Sequence, residues 1–240
     1  MPHRRSTPPP SIYTKEYYTS MCFGHNEFGR GELASTFRRA LEYIQPGTGQ
    51  RILDMGCGRG EMARACHIAG ADVVGMDYSK DATSLAKDFV GVGRVLQASG
   101  THLPFPSDSF DWVIMLQFVE HLSEDDMASC LNETRRVLRP KGKLLILTDN
   151  PWHDFYEALR RTYRWLRYHE DLKAPSSSEE MYHVNVRSPI YWVRFLKARG
   201  FKNVHAWFTV TPSDAWWKNI VRRMLFFCTI DTWYIAEKTS

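Results

Sequence analysis

The stretch RILDMGCGRGEMARA, residues 51–65, decides the fold. Arg51 to Met55 is a short, largely apolar run suited to a buried strand. Gly56, Gly58 and Gly60 follow it, and the residues from Gly60 read as a helix closed by Gly70. Strand, glycine-rich turn and helix in that order set a ligand-binding loop at the carboxyl end of a strand, near the switch point of a parallel sheet. Glycine allows the tight turn and the close approach of backbone to ligand.

Outward from this loop the chain alternates. Upstream, Glu32 to Ile44 carries Leu33, Phe37, Leu41 and Ile44 at helical spacing. Downstream come the strand DVVGMD ending at Asp77, a helix with Ser79 as N-cap, the strand RVLQAS over 94–99, a turn-rich loop, and the strand WVIMLQ over 112–117. A helix then opens with Ser123 and Asp126 in capping-box spacing, RPKGK makes a turn, and LLILTD is a fifth strand over 144–149. With no hairpin signals between them, these strands are expected to pair in parallel. The result is a Rossmann-like, doubly wound sheet with helices on both faces. Residues 150–187 break the rhythm with an aromatic, arginine-rich helix and a serine-rich loop, read as a helical lid insertion. The rhythm resumes at Ser188-Pro189, an N-cap followed by proline at the first helical position. The last strands cover 202–210 and 229–238, with a short helix near AWWKNIVRRML between them. Residues 1–30, proline-rich at the start, read as a flexible segment or cap on one domain spanning 31–240.

The 240 residues are 43% apolar and 24% charged, ordinary for a soluble globular chain. A net charge of +4 is too weakly basic to imply nucleic acid. Five scattered cysteines without a CxxC suggest neither a metal site nor a disulfide framework, and reduced thiols point to the cytoplasm. No run approaches the roughly 18 apolar residues of a membrane-spanning helix, and the N-terminus has no secretory h-region.

A dinucleotide loop would read G-x-G-x-x-G, with phosphate at the helix N-terminus. Here the spacing is G-x-G-x-G, and Glu61 stands at the third-glycine position. Asp54 and Glu61 both oppose a pyrophosphate and favour a ligand that is cationic at this end. S-adenosylmethionine (SAM) fits, with an ammonium and a sulfonium and no phosphate. Asp54 would attract its methionine part, directly or through water, while Gly56 and Gly58 let it pass. Asp77, 23 residues after Asp54, is spaced to hold ribose hydroxyls, with a helix N-cap as its alternative role.

On these residues, about 50 to 148 resemble a class I SAM-dependent methyltransferase of the ubiquinone-biosynthesis type, also called methyltransferase type 11. ILDMGCGRG is similar to its first motif, VVGMDYS to its second, LPFPSDSFDWVIMLQFVEHL to its LPF…SFD…EHL block, and VLRPKGKLLI to the turn before strand five. The resemblance implies seven strands with the last antiparallel. It also implies cofactor contacts from Asp54, Gly56, Cys57, Gly58, Asp77 and Tyr78. Relatives often carry an acid near adenine where Ser99 and Gly100 stand here, and Gln117 matches a position whose backbone faces the methionine moiety.

Methyl transfer from a sulfonium requires mainly that the acceptor be positioned, plus a base if a hydroxyl must lose its proton. His121, just after strand four, and His183, where the insertion returns to the sheet, are the candidate bases. A structural role is the alternative for both, as for Glu120. Tyr17 and Tyr18 precede the first helix in a region that closes over the cofactor in many relatives. Residues 152–173 carry arginines opposite an apolar face; with WWKNIVRRMLFF they suit either a solvated lid or an anionic, lipid-linked or membrane contact. TDNPW superficially resembles an adenine-N6 DNA methyltransferase motif but follows strand five rather than strand four. The expectation is a cytoplasmic methyltransferase acting on a small molecule: a carbohydrate, secondary metabolite or lipid-linked precursor. Oxygen is the favoured atom, and no nucleic-acid partner is expected. A protein or RNA methyltransferase, or a SAM-binding protein without catalysis, are the alternatives.

Overall fold

The computed structural model describes residues 6–91, 93–149, 151, 162, 165, 167, 183–209 and 231–239. The expected short helix at 215–225 and most of the 150–187 insertion lie outside them.

Seven strands form one sheet: β1 (Arg51–Met55), β2 (Asp72–Asp77), β3 (Val95–Gln97), β4 (Phe110–Leu116), β5 (Leu138–Asp149), β6 (Phe201–Thr209) and β7 (Asp231–Lys238). Their order is β3-β2-β1-β4-β5-β7-β6. The strands from β1 to β5 pair in parallel, and β7 runs antiparallel between β5 and β6. The switch point therefore falls between β1 and β4, where Asp54 aligns with Ile114.

Period-two side chains sort the core onto two faces. Ile52, Ile114, Leu145 and Leu147 turn to one face, against α2 (Ser35–Ile44), α3 (Glu61–Ile68) and α4 (Lys80–Val90). Leu53, Met55, Val113, Met115 and Ile146 turn to the other, against α5 (Glu124–Val137) and α6 (Pro189–Ala198). Both faces being covered explains the apolar runs in the sequence. The helix starts are as read: Ser79, Ser123 and Ser188 each accept a backbone amide two or three residues into the helix that follows.

Two boundaries differ. β3 ends at Gln97, so Ser99 and Gly100 lie in the loop beyond it. The expected RPKGK turn is absorbed into β5. Phe110 pairs with Leu138 but Trp112 with Lys143, and Lys141 takes φ +66°, so the turn becomes a bulge inside a longer strand.

Ahead of α2, residues 6–31 cross the carboxyl edge of the sheet, with α1 (His25–Gly29) inside this strap. Tyr78 donates to the Pro8 carbonyl (2.7 Å), Ser79 to that of Tyr13 (2.7 Å), and the Lys15 amide to Asp81 (2.8 Å).

Candidate cofactor and acceptor site

The loop after β1 is tied to the end of β2. Gly56 and Cys57 donate to the Met76 carbonyl, and Gly58 to Asp77 Oδ2 at 3.1 Å. Gly56 has φ +75°, and a Cβ there would stand 2.4 Å from the Phe118 ring. Gly60 has φ +86° and would meet Val90 at 2.5 Å, which lets α3 pack against α4.

Asp54 is 3% exposed, and its Oδ2 has no hydrogen-bond partner among the described residues. Burial pushes its carboxyl up to about 7; the Ala63 amide opposes that rise, while Asp77 and Glu61 add to it. Asp77 is held by the Ser79 amide at 2.9 Å and by Gly58, and burial lifts it to about 6. An unpaired buried carboxylate oxygen beside bare glycine backbone fits the donor-bearing cation of SAM. It offers nothing to a phosphate.

Glu61 does not act as the spacing suggested. It forms a buried pair with Arg59 at 2.8 Å, so its charge is matched inside the loop and the case against a pyrophosphate rests on Asp54. Arg59 is 2% exposed and also donates to the carbonyls of Tyr18 and Phe23 (2.8 Å for the latter) and to Cys22 Sγ (2.9 Å). It lies over the Phe28 ring. One guanidinium thus joins the glycine loop to the strap, and Tyr18 closes over Gly58. As a lone arginine among glycines it carried no sequence signal.

The other predicted cofactor residues surround this cradle. Cys57 turns its side chain toward Gly75 of β2, leaving its backbone to the loop. Tyr78 packs on Tyr13 at 5.6 Å. Ser99 bonds Thr101, and a Cβ at Gly100 would stand 3.2 Å from the same Phe118 ring that one at Gly56 would meet. Gln117 takes φ +53°, and its amide donates to Leu147, turning the chain out of β4.

Across the switch point, the turn Val119–His121 faces the end of β5. Glu120 is fully buried; Thr148 donates to its Oε2 at 2.9 Å, and its Oε1 has no partner among the described residues. Burial, together with the Asp149 carboxylate, pushes Glu120 well above the usual range, against the pull of His183. His183 Nδ1 lies 2.7 Å from Asp149 Oδ2. The rings of His121 and His183 meet at 5.0 Å, and Tyr13 packs on His121 at 5.6 Å. The two histidines read from sequence are therefore together, and Asp149 joins them. One donor atom each from Glu120, His121 and His183 fall within 4.8 Å of one another. Asp149 and Thr148 already take two of these groups, and we assign no ion to the cluster. Among the described residues no helix is long and apolar enough to cross a membrane.

A family model described as a methyltransferase domain matches residues 53–146. The ubiquinone biosynthesis O-methyltransferase of Mesorhizobium japonicum is 31% identical over 127 residues, 50% of this chain and 49% of that protein. The chain spans about half the length of the curated relatives it matches. A SAM-dependent methyltransferase from Archaeoglobus fulgidus superposes with a TM-score of 0.59 at 19% identity, covering 85% of this chain and 93% of that one. An N-methyltransferase of Haemonchus contortus, in complex with phosphomonomethylethanolamine and S-adenosylhomocysteine, gives 0.60 at 19% identity over 85% and 52%.

Proposed function

We propose that the chain is a class I SAM-dependent methyltransferase, a reading supported by the methyltransferase-domain match over residues 53–146 and the O-methyltransferase relative, and that it methylates a hydroxyl of a small molecule held between the glycine loop and the His121–His183 pair. When bound, SAM supplies a methyl group already activated on a sulfonium. Asp54 and the loop backbone hold the cationic amino-acid end, and Asp77 the ribose. Tyr13, packed on both Tyr78 and His121, closes the gap between the two halves and excludes water. A histidine takes the acceptor proton as the oxygen is methylated.

The observation that carries this reading is Asp54: a buried carboxylate oxygen without a partner among the described residues, one strand away from two histidines at the same sheet edge. The O-methyltransferase named among the relatives supports oxygen as the acceptor atom. The aromatic, basic stretch 152–173 favours a lipid-linked or anionic small molecule, or a membrane-surface contact in reaching it; it lies almost wholly outside the described residues.

The test is release of S-adenosylhomocysteine over a panel of hydroxylated small molecules at two salt concentrations. Turnover that is indifferent to salt is expected. Turnover only on protein or RNA, falling steeply with salt, contradicts the small-molecule reading. Cofactor binding without turnover on any acceptor contradicts catalysis.

A further inference from the structure

His183 reaches the acceptor side from beyond the insertion, and its place is built from several contacts. The amides of Val184 and Asn185 both donate to the Glu120 carbonyl, at 2.9 and 3.0 Å. Asn185, 3% exposed, sets its amide against Met127 Sδ at 3.2 Å and accepts from Arg187 at 2.7 Å. Arg187 in turn pairs with Glu124 at 3.1 Å. These contacts carry His183 to Asp149 at the end of β5.

We infer that Asp149 is a positioning residue, holding His183 with its proton on Nδ1 so that Nε2 is left to take the acceptor proton. This rests on the hydroxyl-acceptor reading above. A carboxylate only accepts, so the nitrogen facing it must carry the hydrogen and the opposite nitrogen the lone pair. Among the described residues the groups facing His183 are Asp149 from β5 and Glu120 and His121 from the turn after β4, with Tyr13 of the strap behind His121. Glu120 is itself held by Thr148 and, favoured in its neutral form, does not compete with Asp149 for the Nδ1 proton. The hydroxyl proton passes to Nε2. The acceptor oxygen bonds the methyl carbon as the carbon–sulfur bond breaks, sulfur keeps the electron pair, and the imidazolium returns its proton to water.

The experiment uses the full chain loaded with S-adenosylhomocysteine. Long-range proton–nitrogen NMR reads each imidazole tautomer, with His183 assigned from His183→Asn. A wild-type His183 with Nδ1 protonated is expected; an Nε2-protonated ring overturns the inference without any variant. Asp149→Asn should give mixed tautomers while leaving cofactor affinity within about twofold, and Asp149→Glu should restore part of the preference. An unchanged spectrum in Asp149→Asn overturns it. On a phenol series (phenol, catechol, 4-nitrophenol), Asp149→Asn should lower kcat about 100-fold with little change in KM. Equal losses in kcat/KM through KM alone contradict the base role. Turnover abolished by a chelator and restored by a divalent cation also overturns it, making His183 a ligand. A locked tautomer without turnover on any acceptor supports the positioning and contradicts the hydroxyl reading, so the two fail separately.

Discussion

The two halves of the site at the sheet's carboxyl edge are held together by different means. On the β1–β2 side, backbone does the holding: Gly58 and Ser79 amides clasp Asp77, Ala63 faces Asp54, and the loop hangs from the Met76 carbonyl. On the β4–β5 side, beyond the Val184 and Asn185 amides on the Glu120 carbonyl, side chains hold one another: Thr148 on Glu120, Asp149 on His183, Arg187 on Glu124. A backbone-held site survives most changes of sequence and suits a ligand common to a family. A side-chain-held site changes with each substitution and suits a partner that varies. The strap belongs to both, through Arg59 on one side and Tyr13 on the other.

The largest effect should come where that division is breached. Arg59→Met leaves Glu61 buried without its partner and frees the strap, and should cost about 3–5 kcal/mol in urea unfolding. A loss below about 1 kcal/mol would mean that loop and strap are independent. Next, Asp77→Asn sets an amide donor against one of the two backbone donors, Gly58 on Oδ2 or Ser79 on Oδ1, and should weaken SAM binding by about 2 kcal/mol, roughly thirtyfold, in calorimetry. Acceptor KM in the same variant should hold, keeping the two halves separate.

Smaller effects sharpen the contrast through pH. Asp54 and Asp77 are raised to about 7 and about 6, so a cationic ligand must displace their protons at lower pH. SAM affinity should therefore rise as pH rises through 6 to 7, by about tenfold per unit for each proton displaced. A flat profile would contradict the assigned charges. Glu120 is raised too, so its folded form binds more protons than the unfolded chain. It favours folding while protonated, and that contribution is lost as pH rises through its folded value. Stability should fall as pH rises from about 5 to about 8, where the unfolded glutamate is ionised and the buried one is not, and Glu120→Gln should raise stability near neutral pH by about 1 kcal/mol or more and flatten that fall in pH-dependent melting.

The same division decides what could be read from sequence. The β1–β2 half is local: Asp54, three glycines and Asp77 follow one another along the chain, so their spacing marks the strand, the loop and the two acids that the structure buries side by side. Strand periodicity and serine caps gave most of the sheet for the same reason. Asp149 and His183 are separated by the whole insertion, and no periodicity announces that their side chains meet. No periodicity or motif marks Arg59, and only the strap folding back over it brings four acceptors onto one guanidinium. The bulge at Lys141 was hidden because a turn and a bulge use the same residues.

Asp54→Asn tests the central claim most directly, with binding and melting measured together at pH 8. If Asp54 is a buried anion kept for a cationic ligand, the variant should bind SAM at least about thirtyfold more weakly. The cofactor-free protein should at the same time melt higher, by about 1 kcal/mol of stability, because an unpaired charge is gone. Unchanged SAM affinity, or weaker binding that comes only with a destabilised fold, would contradict it.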